Sequence, residues 1–174
     1  MFLSKHYSRS WLQPLSLNKN RLYAVIGWGL LVLFIAQEAL DLKWAWLVEQ
    51  QQSDSYKMVS GIILMGYLGY QWLLASLRGR GYHRQAKQHY TIHKLLGIAA
   101  PVFFYLHSTE LGYGYLFLLS TVYFGNVIVG LAHRDFFSIR FKHYTHYWMI
   151  IHVSLSVMVI ILAAYHLYIA LFYH

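Results

Sequence analysis

The feature that most constrains this chain is a succession of five apolar stretches, each about as long as a membrane-crossing helix, separated by short polar segments. They cover about 22–40, 58–77, 90–108, 111–132 and 147–173. At about 1.5 Å per residue, roughly 20 such residues match the ~30 Å apolar core of a bilayer. A soluble domain needs a charged shell, and a chain 58% hydrophobic and 11% charged cannot supply one. The expected fold class is all-α: a polytopic membrane protein with a bundle of five transmembrane helices. Residues 1–20 are expected to form a cytoplasmic or interfacial segment, and 21–174 a single transmembrane domain.

Charge assigns the topology. Lys5, Arg9, Lys19 and Arg21 precede the first span; Arg78, Arg80, Arg84 and Lys87 follow the second; Arg134, Arg140 and Lys142 follow the fourth. The first loop balances Lys43 and Lys57 against Asp41, Glu49 and Asp54, and the third carries Glu110 alone. Basic and non-basic connections alternate, which predicts a cytoplasmic N-terminus and a periplasmic C-terminus in a bacterial-type inner membrane. The formal charge of +8 is spread between apolar spans, so nucleic acid is not an expected partner. No long apolar run follows Lys5 and Arg9 before Pro14, so the first span is expected to act as its own targeting signal. The chain has no cysteine, which excludes disulfides, thiolate metal sites, iron–sulfur clusters and covalently attached haem.

Against this background four histidines stand out. His93 and His107 lie fourteen residues apart on the third span, and His152 and His166 lie fourteen apart on the fifth. That separation is about 40° short of four helical turns, with a rise of about 21 Å, so each pair occupies one face of its helix at two depths. One span intervenes, so the third and fifth run in the same direction and the depths match as His93 with His152 and His107 with His166. Two imidazoles facing each other at each of two levels suit two non-covalent b-type haems with His–His axial ligation, a closed coordination that favours electron transfer.

Other residues are weighed against plainer roles. Gly97, Ser156, Ala163, Gly125 and Gly130 leave room for a flat macrocycle or for ordinary helix packing, as do Gly61, Gly66 and Gly69 on the second span. Lys94, Arg84, Arg140 and Lys142 are candidate partners for propionates or for lipid phosphates. The pairs His89 with His93 and His143 with His146 have metal-ligand spacing but no carboxylate nearby, and are read as interfacial. Glu38 is either a water-facing carboxylate or a proton acceptor beside a quinone, and Asn126 is expected to bond between helices. Pro101 is expected to bend the third span.

Thr91–Gly97 (TIHKLLG) with Tyr105–Ser108 (YLHS), and Trp148–His152 (WMIIH) with Ala164–Leu167 (AYHL), resemble the third and fifth helices of the ferric-reductase-like transmembrane domain superfamily. That superfamily includes ferric reductases, NADPH oxidases and the haem-bearing subunit of a methionine sulfoxide reductase system. The resemblance covers roughly residues 58–170 and implies that His93, His107, His152 and His166 are axial ligands. A sixth span and a flavin–nicotinamide domain, found in the eukaryotic members, are not expected here. The expectation is an electron-transfer subunit with a separate redox partner, rather than a complete enzyme. The alternatives are a quinol-reactive cytochrome b anchor, and a haem-free transporter or assembly subunit that uses histidines for protons.

Overall fold

The computed structural model describes residues 19–132 and 143–173, and every regular element among them is helical. In order these are α1 (Lys19–Ala39), α2 (Ala45–Gln52), α3 (Asp54–Gly79), α4 (His83–His107), α5 (Tyr115–Leu131) and α6 (Tyr144–Phe172). Over Arg21–Ala39 in α1, and along the whole of α3 and α6, the helices are long and apolar enough to cross a membrane. Large apolar side chains point outward along them, among them Leu33 (66% exposed) and Ile161 (62%). A surface of that kind is untenable in water and natural in lipid, so this is an integral membrane protein. With 17 residues α5 is apolar but shorter, and α4 has 25 residues with a polar first half that includes Arg84, Lys87 and Lys94.

Two connections differ from the sequence expectation. The segment Arg78–His89, read as a loop, is mostly helix: α3 ends at Gly79 and α4 begins at His83. Gly81, at φ +78°, closes α3 with paired bonds from Tyr82 N–H to the Leu77 carbonyl (2.9 Å) and from Gly81 N–H to the Arg78 carbonyl (3.1 Å). A left-handed glycine ends a helix sharply, and the helix formers HRQAKQ beyond it start the next one at once. The polar segment Asp41–Lys57 likewise holds α2 and the first turn of α3. Apolar patterning misses such pieces because their residues are largely polar and carry no apolar stripe. Most of the basic connection 133–146, and residues 1–18, lie outside the described residues.

The buried centre joins α1, α3, α4, α5 and α6 through Leu31, Phe34, Tyr67, Ala100, Phe104, Val122, Tyr123, Phe124, Leu131 and Val159. Phe34 stacks on Phe124 at 4.5 Å, and Phe104 meets both rings edge-on at 5.4 and 4.8 Å. Close aromatic packing matters here because lipid tails are as apolar as the core, so dispersion must hold the helices together. Tyr123 Oη donates to the Ala100 carbonyl at 2.8 Å, just before Pro101, and α4 continues through that proline. Helix α4 packs against α3, α1 and α5, while α6 packs chiefly on α5. The faces of α4 and α6 that carry the histidines are therefore left looking at each other across a cleft.

Candidate cofactor site

Both histidine pairs close across that cleft. His93 and His152 have ring centroids 6.3 Å apart at an interplanar angle of 87°, and His107 and His166 are also 6.3 Å apart, at 72°. Meeting in this order, the four side chains show that α4 and α6 run in the same direction. The separation has a chemical meaning. Two metal–imidazole bonds of about 2 Å, with roughly 1 Å from each nitrogen to its ring centre, span about 6 Å. Among the described residues no cluster of three or more His, Cys, Asp or Glu side chains occurs. Histidines in twos suit a metal whose remaining ligands come from a macrocycle rather than from protein.

His93 and His152 line a cavity of about 460 Å³, within the ~300–1,000 Å³ typical of cofactor sites. Gly97, Gly130 and Ser156 form part of its wall, and Arg78, Tyr90 and Lys94 stand around it. The Arg78 guanidinium and the Lys94 ammonium both lie over the Tyr90 ring, at 5.8 and 5.4 Å. The buried Nδ1 atoms of His93 and His152 have no hydrogen-bond partner. An added Cβ at Gly130 would stand 3.2 Å from His152 Cε1, so the missing side chain is what seats that ring. Trp148, one turn before His152, stacks on it at 5.5 Å and 8°, and is itself fixed by Nε1–H donation to the Val129 carbonyl at 2.6 Å.

No protein-family model, curated protein or solved structure matches this chain. The site must therefore be read from its own geometry.

The imidazoles of His107 and His166 have hydroxyl partners. His107 Nδ1 is 3.0 Å from Ser60 Oγ, and His166 Nδ1 is 3.4 Å from Tyr115 Oη. An added Cβ at Gly61 would stand 3.4 Å from His107 Cε1. His107 is the last residue of α4, and a polar clamp holds that helix end. Gln51 of α2 donates to the carbonyls of Tyr105 (2.8 Å) and Leu106 (3.3 Å) and accepts from Thr109 N–H and Oγ1–H, both at 3.0 Å. Tyr56 Oη also donates to the Leu106 carbonyl, at 2.7 Å. Further out, Lys43 bridges Glu110 and Asp41, each at 2.9 Å. Those two hydrogen bonds, the one to Glu110 first, hold its ammonium above the usual lysine range.

Of the residues singled out from sequence, Lys94 stands at the cavity beside His93 and His152, Arg84 does not line it, and Arg140 and Lys142 lie outside the described residues. Ala163 packs in the core, and Gly66, Gly69 and Gly125 face open space. Asn126 Oδ1 accepts from Ser156 of α6 at 3.2 Å, the interhelical bond expected of it. His89 pairs with Tyr70 at 3.0 Å and does not join His93. Glu38 accepts from Gln37 at 3.3 Å at the C-terminal end of α1. Sequence reasoning passed over Ser60, Tyr115, Gln51 and the cavity-lining role of Arg78. Only Trp148 carried a signal, its i, i+4 spacing from His152.

Proposed function

We propose that this chain is a di-haem b-type cytochrome that carries electrons across a bacterial-type inner membrane for separate donor and acceptor proteins, of the ferric-reductase-like kind. In this reading all five long helices cross the bilayer, with α4 and α5 shielded by their neighbours, the N-terminus cytoplasmic and the C-terminus periplasmic. The observation that carries it is the identical 6.3 Å separation of two imidazole pairs, fourteen residues apart along co-directional helices.

His93 with His152 would hold the inner haem and His107 with His166 the outer one, each through a ring nitrogen. Bound in this way, haem supplies a one-electron carrier with no open position for oxygen or substrate. The chain's part is to fix and insulate. Gly130 and Trp148 clamp the His152 ring between a bare backbone and an indole, and Ser60 and Gly61 do the same for His107 with a hydroxyl and a bare backbone. Arg78 and Lys94 offer positive charge for carboxylates at the inner rim. Lipid-facing apolar side chains on α1, α3 and α6 keep water from the cleft.

Expression under haem-replete conditions tests the reading. The expected result is a reduced-minus-oxidised spectrum with b-type bands and close to two haems per chain. A colourless protein removes it.

A further inference from the structure

The outer pair carries one contact that fixes chemistry as well as position. Ser60 lies on α3, 47 residues from His107, and its hydroxyl has a single proton. The Lys57 carbonyl, one turn back on the same helix, stands 3.2 Å from the hydroxyl oxygen and is placed to take that proton. With its proton engaged there, Ser60 Oγ would face His107 Nδ1, 3.0 Å away, as an acceptor, an arrangement in which Nδ1 carries the imidazole hydrogen. A neutral ring protonated at Nδ1 presents a lone pair at Nε2. Gly61, next in sequence, lets the Cε1 edge of the same ring sit against α3, where a Cβ would already be at 3.4 Å.

We propose that Ser60 is a positioning residue that selects the metal-binding tautomer of His107 and raises its basicity. The proposal rests on the reading of His107 as an axial ligand. A second-shell acceptor on the far nitrogen makes an imidazole a better donor and favours the oxidised metal; losing one typically costs 10–100-fold in metal affinity or activity. His166 meets the Tyr115 hydroxyl at a longer 3.4 Å, so the effect should be strongest at His107.

Ser60→Ala and Ser60→Thr in the full chain, measured by haem content and by potentiometric titration of the b bands, test this. In Ser60→Ala one haem should become easier to reduce, its reduced-to-oxidised ratio at fixed poise rising about tenfold (59 mV for a one-electron couple), while the other stays in place. Ser60→Thr, which keeps the hydroxyl, should titrate like the parent. If Ser60→Ala does not assemble, a parent-like threonine variant still supports the role, and a threonine variant that shifts or loses haem overturns it. Unmoved potentials in the alanine variant, or equal shifts of both haems, also overturn it. A parent protein without haem removes the cytochrome reading instead. Histidine ¹⁵N spectra then decide on Ser60 alone: Nδ1 protonation of His107 that is lost in Ser60→Ala supports the assignment, and an unchanged spectrum overturns it.

Discussion

His93 and His152 face each other across a cleft 6.3 Å from ring centre to ring centre, although their helices pack mainly on other partners. The two rings meet edge to face at 87° beside a cavity. The same spacing recurs at His107 and His166, and in the proposed cytochrome each pair would hold one haem.

Selective ligand removal should separate the two levels. His152→Ala is expected to leave one haem per chain, held by the outer pair, and His166→Ala one haem held by the inner pair. The two single-haem proteins should differ in reduction potential, read by titration of the b bands. Equal loss of both haems in each variant would contradict two independent sites.

The glycines beneath the imidazoles should differ in their tolerance. Ala gains about 1 kcal/mol over Gly in a helix. At Gly130 that gain competes with a 3.2 Å contact against the His152 ring, and overpacking costs typically about 1–3 kcal/mol. Gly130→Ala should therefore lower inner haem content and the thermal transition. Gly61→Ala meets its ring at 3.4 Å and should stay close to the parent, and Gly66→Ala, with open space around it, should match or exceed it. Haem content and thermal scans of the three variants check the order.

Gln51→Leu should loosen the outer end of α4. The substitution leaves the buried Thr109 N–H and the Tyr105 carbonyl without their partners. Each unsatisfied buried group costs about 1–3 kcal/mol. Faster hydrogen exchange confined to the end of α4 and the 108–114 connection is expected, with outer haem lost before inner. Uniform exchange along the whole helix would speak against a local clamp.

The chain contains no cysteine, so single cysteines can report its orientation without background. Tyr113→Cys, at a position 88% exposed in the α4–α5 connection, should react with an impermeant maleimide from the periplasmic side of intact cells. Arg80→Cys, in the α3–α4 turn, should react only after the inner membrane is opened. The reverse pattern would invert the topology.

Spacing and hydropathy together are strong evidence when a helix is both long and apolar. The ranges read for the first, second and fifth spans each fall within or beside an observed helix, because lipid exposure demands a continuous apolar surface there. The readings faltered where a helix begins in the interfacial layer: HRQAKQH opens α4 and AWLVEQQQ forms α2, and neither bears an apolar pattern that marks it as helix.

By itself the sequence determined the membrane class, the alternating charge of the connections, and four histidines at two matched heights. Those properties depend on local composition and on helical pitch, which a linear pattern carries in full. Tertiary structure alone decided that α4 and α6 leave a cleft between them, and that Ser60, Tyr115, Gly61, Gly130 and Trp148 surround the rings. Apart from Trp148, which lies one turn from His152 on the same helix, these contacts join residues tens of positions apart, and they depend on how helices rotate and approach one another, which no single helix encodes.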